Sequence, residues 1–239
     1  MTAPSDDRAP GLARFAGLLA DTTRATFLFA LVDGRAWTAG ELAAHARVAP
    51  STATEHLNRL LNAGLLVERR QGRHRYVQLA GPAVAELLED ISALTEPQLA
   101  APTSLRVANT RERLARGRTC YDHLAGQLGV GITDAMTAAG LLDQRNGFGM
   151  TDAGLAWLTQ RLGVDPATLD RSRRPLARPC LDWTERRTHL GGVAGAQLCG
   201  RFLDHGWIER IGSSRAVRVT AAGADALRDV LGFELRPNG

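Results

Sequence analysis

Among the three cysteines and six histidines of this 239-residue chain, four residues fall into two short clusters. Cys120-Tyr121-Asp122-His123 puts three potential ligands within four residues. Cys180-Leu181-Asp182-Trp183, with His189 further on, resembles it. Thiolate and imidazole suit zinc and related soft metals, so Cys120, His123, Cys180 and His189 are a candidate metal-ion site if the two clusters converge. On a helix, Cys120 and His123 would share a face. The Cys–His separations differ, three residues in one pair and nine in the other, which argues against equivalent registers. Buried cysteine is commonly just a small apolar residue, and that plain role is the simplest reading here. A redox- or electrophile-sensitive thiol switch is a further one. Cys199, among Leu198, Phe202 and Leu203, reads as core. Tyr121 and Trp183, with Arg173 and Arg174 from the proline-broken basic connector, are candidate lining for an aromatic or apolar effector bearing an anionic group. Core packing and solvated arginines are the bland alternative for each.

A second grouping is basic. Ser51, Thr52 and Thr54 sit where a short helix would begin, and His56 and Arg59 continue along it. Small hydroxyls beside the amides of a helix start can approach phosphates and base edges closely. Arg69, Arg70, Arg73 and Arg75 follow within seven residues, against one acid, Glu68. That local excess of +3 suits a phosphate clamp. Glu55 departs from the pattern: it would accept from a cytosine amino group or pair with Arg59 four residues on.

The elements that must hold these groups can be read from periodicity. Apolar residues recur at helical spacing from Gly11 to Val32, with Asp21 and Thr22 as a cap between two helices. Thr38-x-x-Glu41 has capping-box spacing. A second short helix runs from Pro50-Ser51 to Asn62, and Leu65–Arg69 and Arg75–Leu79 alternate as strands about a Gln71-Gly72 turn. Helix, tight turn, helix and basic hairpin make a winged helix-turn-helix. Further on, the order of helix end, Gly, strand, turn, strand and helix recurs at 138–158 and at 204–227. Leu124 precedes Gly140 by 16 residues, and Leu190 precedes Gly206 by the same 16. The fold class expected is mainly α with short β-hairpins: an N-terminal winged helix-turn-helix plus a C-terminal region of two winged-helix-like units. The expected division is 11–96 for DNA binding and dimerisation, 97–117 for a linker helix, and 118–239 for an effector domain with an internal pseudo-repeat.

Composition limits the alternatives. Apolar residues at 44% and charged residues at 23% are ordinary globular values. All 29 basic residues are arginine, and the net charge is 29 − 25 = +4. Residues 1–100 carry 10 Arg and 11 acids, leaving 19 Arg and 14 acids beyond, so net charge alone does not argue for nucleic acid. No apolar run is long enough for a transmembrane helix, the polar N-terminus is unlike a secretory signal, and three scattered cysteines make no disulfide framework. A cytoplasmic protein with reduced thiols and no membrane partner is expected.

The stretch from Leu19 to Leu79 resembles the DNA-binding domain of the ArsR-type (arsenic-repressor) family of bacterial transcription factors. The resemblance rests on Leu-Ala-Asp-x-Thr-Arg at 19–24, Ser51-Thr52-x-Thr54-x-His56-Leu57, Ala63-Gly64-Leu65, and the Gly72-Arg73 wing ending at Tyr76. It covers about residues 12–95. It implies a homodimer, packed through residues 12–19 and 82–94, that reads a near-palindromic double-stranded operator and usually represses. It also implies two familiar metal sites, but 38–46 (TAGELAAHA) has no cysteine and 82–94 (PAVAELLEDISAL) no histidine. The signal, a small molecule or a metal, is therefore expected to act in the C-terminal half. Two other function classes stand beside this one: an interaction module with a vestigial winged helix, and an enzyme that uses the winged helix to dimerise. The enzyme reading lacks a phosphate loop, a nucleophile elbow or paired carboxylates; the Gly191–Gly195 run reads as lying inside a helix with no strand before it.

Overall fold

A computed structural model describes residues 8–235 except 33, 73, 95–104, 173 and 213. Arg73 and Arg173 therefore lie outside the described residues. The chain divides into two units, Met1–Leu88 and Glu89–Gly239, so the division falls inside a helix rather than at 96/97.

In the first unit α1 (Ala9–Leu19), α2 (Thr22–Leu31), α3 (Ala39–Ala46) and α4 (Pro50–Asn62) precede a hairpin of β2 (Leu66–Gln71) and β3 (His74–Leu79). A two-residue strand β1 (Trp37–Thr38) joins β3 on its free side, giving the order β1-β3-β2. The Asp21–Arg24 motif works as a double cap. Asp21 accepts from the Arg24 backbone N–H and starts α2, while the Arg24 guanidinium donates to the carbonyls of Gly17 and Leu18 at the end of α1. Both sets of groups are ones a helix cannot satisfy itself. Thr38 and Glu41 form the reciprocal capping box that opens α3. Phe27, Leu28 and Leu31 meet Leu42, Leu57, Leu60 and Val77 in the core. Helix α5 (Pro82–Leu94) follows and carries the unit boundary.

In the second unit α6 (Leu105–Arg116) leads into two copies of one arrangement. The first copy is β4 (Arg118–Cys120), β5 (His123–Ala125), α7 (Gly126–Ala138), β6 (Leu142–Asp143), β7 (Gly149–Met150) and α8 (Asp152–Gln160). A short α9 (Pro166–Asp170) intervenes. The second copy is β8 (Arg178–Leu181), β9 (Thr188–Gly191), α10 (Gly192–Asp204), β10 (Ile208–Arg210), β11 (Val217–Val219) and α11 (Ala221–Leu231). Gly126 and Gly192 begin the equivalent helices at φ 73° and 79°, a left-handed region that glycine enters freely. Both copies share one core, with Leu128, Met136 and Leu158 from the first and Leu198, Phe202 and Leu227 from the second.

Candidate functional site

Helix α4 has an apolar side and a polar side. Ala53, Leu57 and Leu60 are buried, whereas Ser51, Thr54, Glu55, Asn58 and Arg59 are exposed and Thr52 is half-buried. Pro50 at its first turn leaves the following amides without intrahelical partners, as at any helix start. Thr54 Oγ1 donates back to the Pro50 carbonyl at 2.8 Å. Arg59 pairs with Glu55 at 2.6 Å, so of the two roles open to Glu55 the free chain adopts the intrahelical one. His56 is a correction. Its side chain is only 14% exposed, with Nδ1 3.3 Å from Arg24 and 3.6 Å from Asp21. It ties α4 to the α1–α2 cap instead of extending the reading face.

The wing is the outer half of the β2–β3 hairpin. Arg69 pairs in register with Tyr76, and Arg70 with Arg75. All three arginines are exposed. Glu68 accepts from Arg75 at 2.6 Å and from Arg70 at 3.2 Å, which pulls its carboxyl below the usual range, Arg75 being the larger cause. Arg75 also reaches Asn58 of α4 at 3.5 Å. One acid thus orders two cations beside the helix, and the hairpin remains net positive.

The second unit brings the two cysteine clusters together. Cys120, His123, Cys180 and His189 are all buried, and no two of their ligand atoms lie more than 4.8 Å apart. Cys120 Sγ and Cys180 Sγ are 3.8 Å apart. They are free thiols in contact, since a disulfide would bring them to about 2.0 Å. His123 Nε2 and His189 Nε2 are 3.2 Å apart. These residues lie on hairpins, not on one helical face. Cys120 is the cross-strand partner of His123, and Cys180 is the partner of His189. The unequal separations of three and nine therefore do not mean unequal registers. Two residues, 121 and 122, close the first hairpin; in the second, one more cross-strand pair, Leu181 with Thr188, and a six-residue turn, 182–187, lie beyond the ligand pair, which accounts for the longer separation.

A carboxylate stands behind each imidazole. Asp122 Oδ1 is 3.3 Å from His123 Nδ1, and Asp182 Oδ2 is 3.4 Å from His189 Nδ1. Asp122 is held by Arg174, at 2.5 and 3.3 Å. Fully buried Asp182 accepts from Arg118 at 2.9 Å, from the Gly126 amide at 2.6 Å, and from Thr184 through both its amide and its hydroxyl. Burial alone would raise the Asp182 carboxyl, but Arg118 and these donors hold it well below the ordinary range. Burial pushes the Cys120 thiol up, and contact with Cys180 adds to that. Cys180 is lowered, first by its contact with Cys120 and then by the two histidines, in spite of burial. At His123, burial acts downward but Asp122 and Cys180 outweigh it and lift the ring to about 9.

Of the groups expected to line an effector pocket, Tyr121, Arg174 and Trp183 are among the described residues. Arg174 anchors Asp122, and Trp183 lies 4.6 Å from the Arg118 guanidinium, face to cation. Tyr121 turns the first hairpin at φ 56°. Reading along the sequence does not single out Arg118, and it offers Asp122 as a direct ligand and not as the group behind one; the Cys-x-Asp shared by both clusters is the signal that points to Asp122 and Asp182 together. The Gly191–Gly195 run does follow a strand, β9. It still makes no phosphate loop, because the amides of Val193 and Ala194 donate to the carbonyls of Pro175 and Leu176. Cys199 is core. Among the described residues no helix is long and apolar enough to cross a membrane.

A helix-turn-helix domain family matches residues 19–69. The HTH-type transcriptional regulator YdfF of Bacillus subtilis is 37% identical over 227 residues, 95% of this chain and 99% of that protein. The chain belongs to the family of HTH-type transcriptional regulators. A second relative, the regulator CmtR of Mycobacterium tuberculosis, is 38% identical over 84 residues, 35% of this chain and 70% of its own. The solution structure of a homodimeric winged helix-turn-helix domain from Mycobacterium bovis covers 42% of the regulator at 27% identity and a TM-score of 0.34. Both relatives are HTH-type transcriptional regulators. The likeness to YdfF runs through both units of the regulator, whereas that to CmtR spans about a third of it.

Proposed function

We propose that the chain is a homodimeric repressor that binds a near-palindromic operator and that a signal received in the second unit sets its affinity. The observation that carries this is the exposed hydroxyl-rich start of α4 beside the arginine wing. Ser51, Thr52 and Thr54 would approach bases and phosphates, and Arg69, Arg70 and Arg75 would clamp the backbone. Arg59 joins them once it leaves Glu55 for a phosphate. Arg73, between Gly72 and His74, belongs to the same basic turn by sequence. Dimerisation is supported by α1, which buries none of its residues and leaves Leu12 69% exposed. Leu87 and Leu94 of α5 are exposed as well. Two reading helices about 34 Å apart would meet successive major grooves.

Fluorescence anisotropy on DNA from upstream of the chain's own gene, against scrambled DNA at physiological salt, tests the reading. A preference of about 10³-fold or more supports it. No binding even at low salt would reduce the winged helix to a scaffold for protein contacts. Transcription from the same promoter should rise when the gene is deleted; a fall would make the regulator an activator.

A further inference from the structure

We propose that Cys120, His123, Cys180 and His189 bind one zinc-class divalent cation in a closed tetrahedral site, and that this ion clamps the two halves of the second unit together. Each half contributes one cysteine and one histidine from facing positions of one hairpin. Zinc bonds of about 2.3 Å to sulfur and about 2.0–2.1 Å to nitrogen, at tetrahedral angles, put two sulfurs about 3.8 Å apart and two nitrogens about 3.3 Å apart. The distances here are 3.8 Å and 3.2 Å. Two thiols and two imidazoles select a soft or borderline tetrahedral ion over calcium or magnesium, which prefer oxygen.

The groups behind the ligands point the same way. Asp122 is in hydrogen-bond contact with His123 Nδ1, and Asp182 lies 3.4 Å from His189 Nδ1 without a hydrogen bond; both carboxylates favour a proton on the Nδ1 side, and both Nε2 atoms meet at one point. Two acceptors at 3.2 Å need a proton or a cation between them. The ion replaces the proton, and the Cys120 proton leaves as its thiolate forms, so binding releases protons and adds no oxidant or reductant. The backbone makes room from both sides. An added Cβ at Gly195 of α10 would lie 3.1 Å from the His123 Cβ, and one at Gly129 of α7 would lie 3.6 Å from the His189 Cβ. Each helix is thus bare where the other half's histidine packs. Four protein ligands leave no open position, so the site holds and does not catalyse. A path to the rest of the second unit exists through β8, where Arg178, two residues before Cys180, pairs with Asp90 of α5 at 2.5 Å.

The test uses the full, reduced chain after chelation, titrated anaerobically with Co(II). The expected result is about one equivalent bound, with a sulfur-to-cobalt charge-transfer band and the intense visible bands of tetrahedral Co(II), both displaced by Zn(II). Cys180→Ser and His189→Gln should lose this spectrum and Cys199→Ser should keep it. Zinc loading should raise the melting temperature of the wild type but not of Cys180→Ser. If the ligand variants fail to fold, Asp122→Asn serves, because its side chain is partly exposed; it should weaken Co(II) binding about 10-fold or more. A folded, reduced wild type that takes up no Co(II), or takes it up in octahedral form, overturns the site. The same holds if Cys180→Ser keeps the full spectrum. That the ion is also the effector rests on the repressor reading. Operator affinity should then change about fivefold or more between the metal-free and metal-loaded forms. Equal affinities overturn the effector role alone, and absent operator binding with an intact Co(II) spectrum overturns the repressor reading alone.

Discussion

The wing and the two cysteine hairpins are the same element put to opposite uses. In β2–β3 the inner pairs are buried at Leu66, Val77 and Leu79, while the outer pairs carry exposed arginines steadied by Glu68. In β4 and β5 every residue is buried, and the polar groups of both cysteine hairpins face each other and the carboxylates behind them. Polar groups left in water cost little to hold and little to remove, so they are available to a ligand. Polar groups withdrawn from water must all be answered, and removing one leaves its partner uncompensated. Substitutions in the wing should therefore change affinity and spare stability. Substitutions around the cysteine hairpins should do the reverse.

The largest effect should come from Arg118→Met, which leaves Asp182 buried without its guanidinium. A loss of about 3–5 kcal/mol in urea unfolding is expected. A single variant as stable as wild type would break the comparison on its buried side. Gly195→Ala comes next. Its Cβ would lie 2.3 Å from the Leu190 carbonyl, and the backbone must shift at a cost of about 1–3 kcal/mol. Gly200→Ala on the same helix meets nothing within 4 Å and should stabilise by roughly 0.5–1 kcal/mol. Opposite signs at two glycines five positions apart would locate the tight approach. On the exposed side, Arg70→Ala with Arg75→Ala should leave stability within about 0.5 kcal/mol. The slope of log affinity against log salt should fall by about 0.9 for each phosphate that the variant no longer neutralises. Undiminished operator binding by this double variant would remove the wing from the interface. Asp21→Ala should cost about 1 kcal/mol for a lost helix cap. The Arg24 amide, the main cause, lowers the Asp21 carboxyl in the folded chain. The cap's stabilisation is therefore full above the unfolded value of about 3.9 and is lost as pH falls through the lower folded one. Asp21→Asn should show no such dependence on pH.

Much of the first unit is legible in the sequence because its signals are local. Thr38 and Glu41 cap within one turn, and Asp21 does the same for α2. Ser51 and Thr54 of α4 are exposed because Ala53, Leu57 and Leu60 fix the buried side. His56 misleads because its partners Arg24 and Asp21 lie over thirty positions away. The repeat in the second unit can be read from Gly140 and Gly206, but the meeting of the four ligands cannot. Their equivalence depends on cross-strand register, and the six residues at 182–187 hide it from counting along the chain. The burial of Arg118, a residue type usually found in water, follows from Asp182 and Trp183 more than sixty positions on.

The pairing of Cys120 with His123, and of Cys180 with His189, also concerns valency. Each half of the second unit holds a bidentate arm, never a complete chelate. A fragment carrying one half can fill a tetrahedral shell only by recruiting a second copy of itself, so the covalent tether between the halves turns a two-molecule chelate into a one-molecule one. Its formation no longer depends on protein concentration.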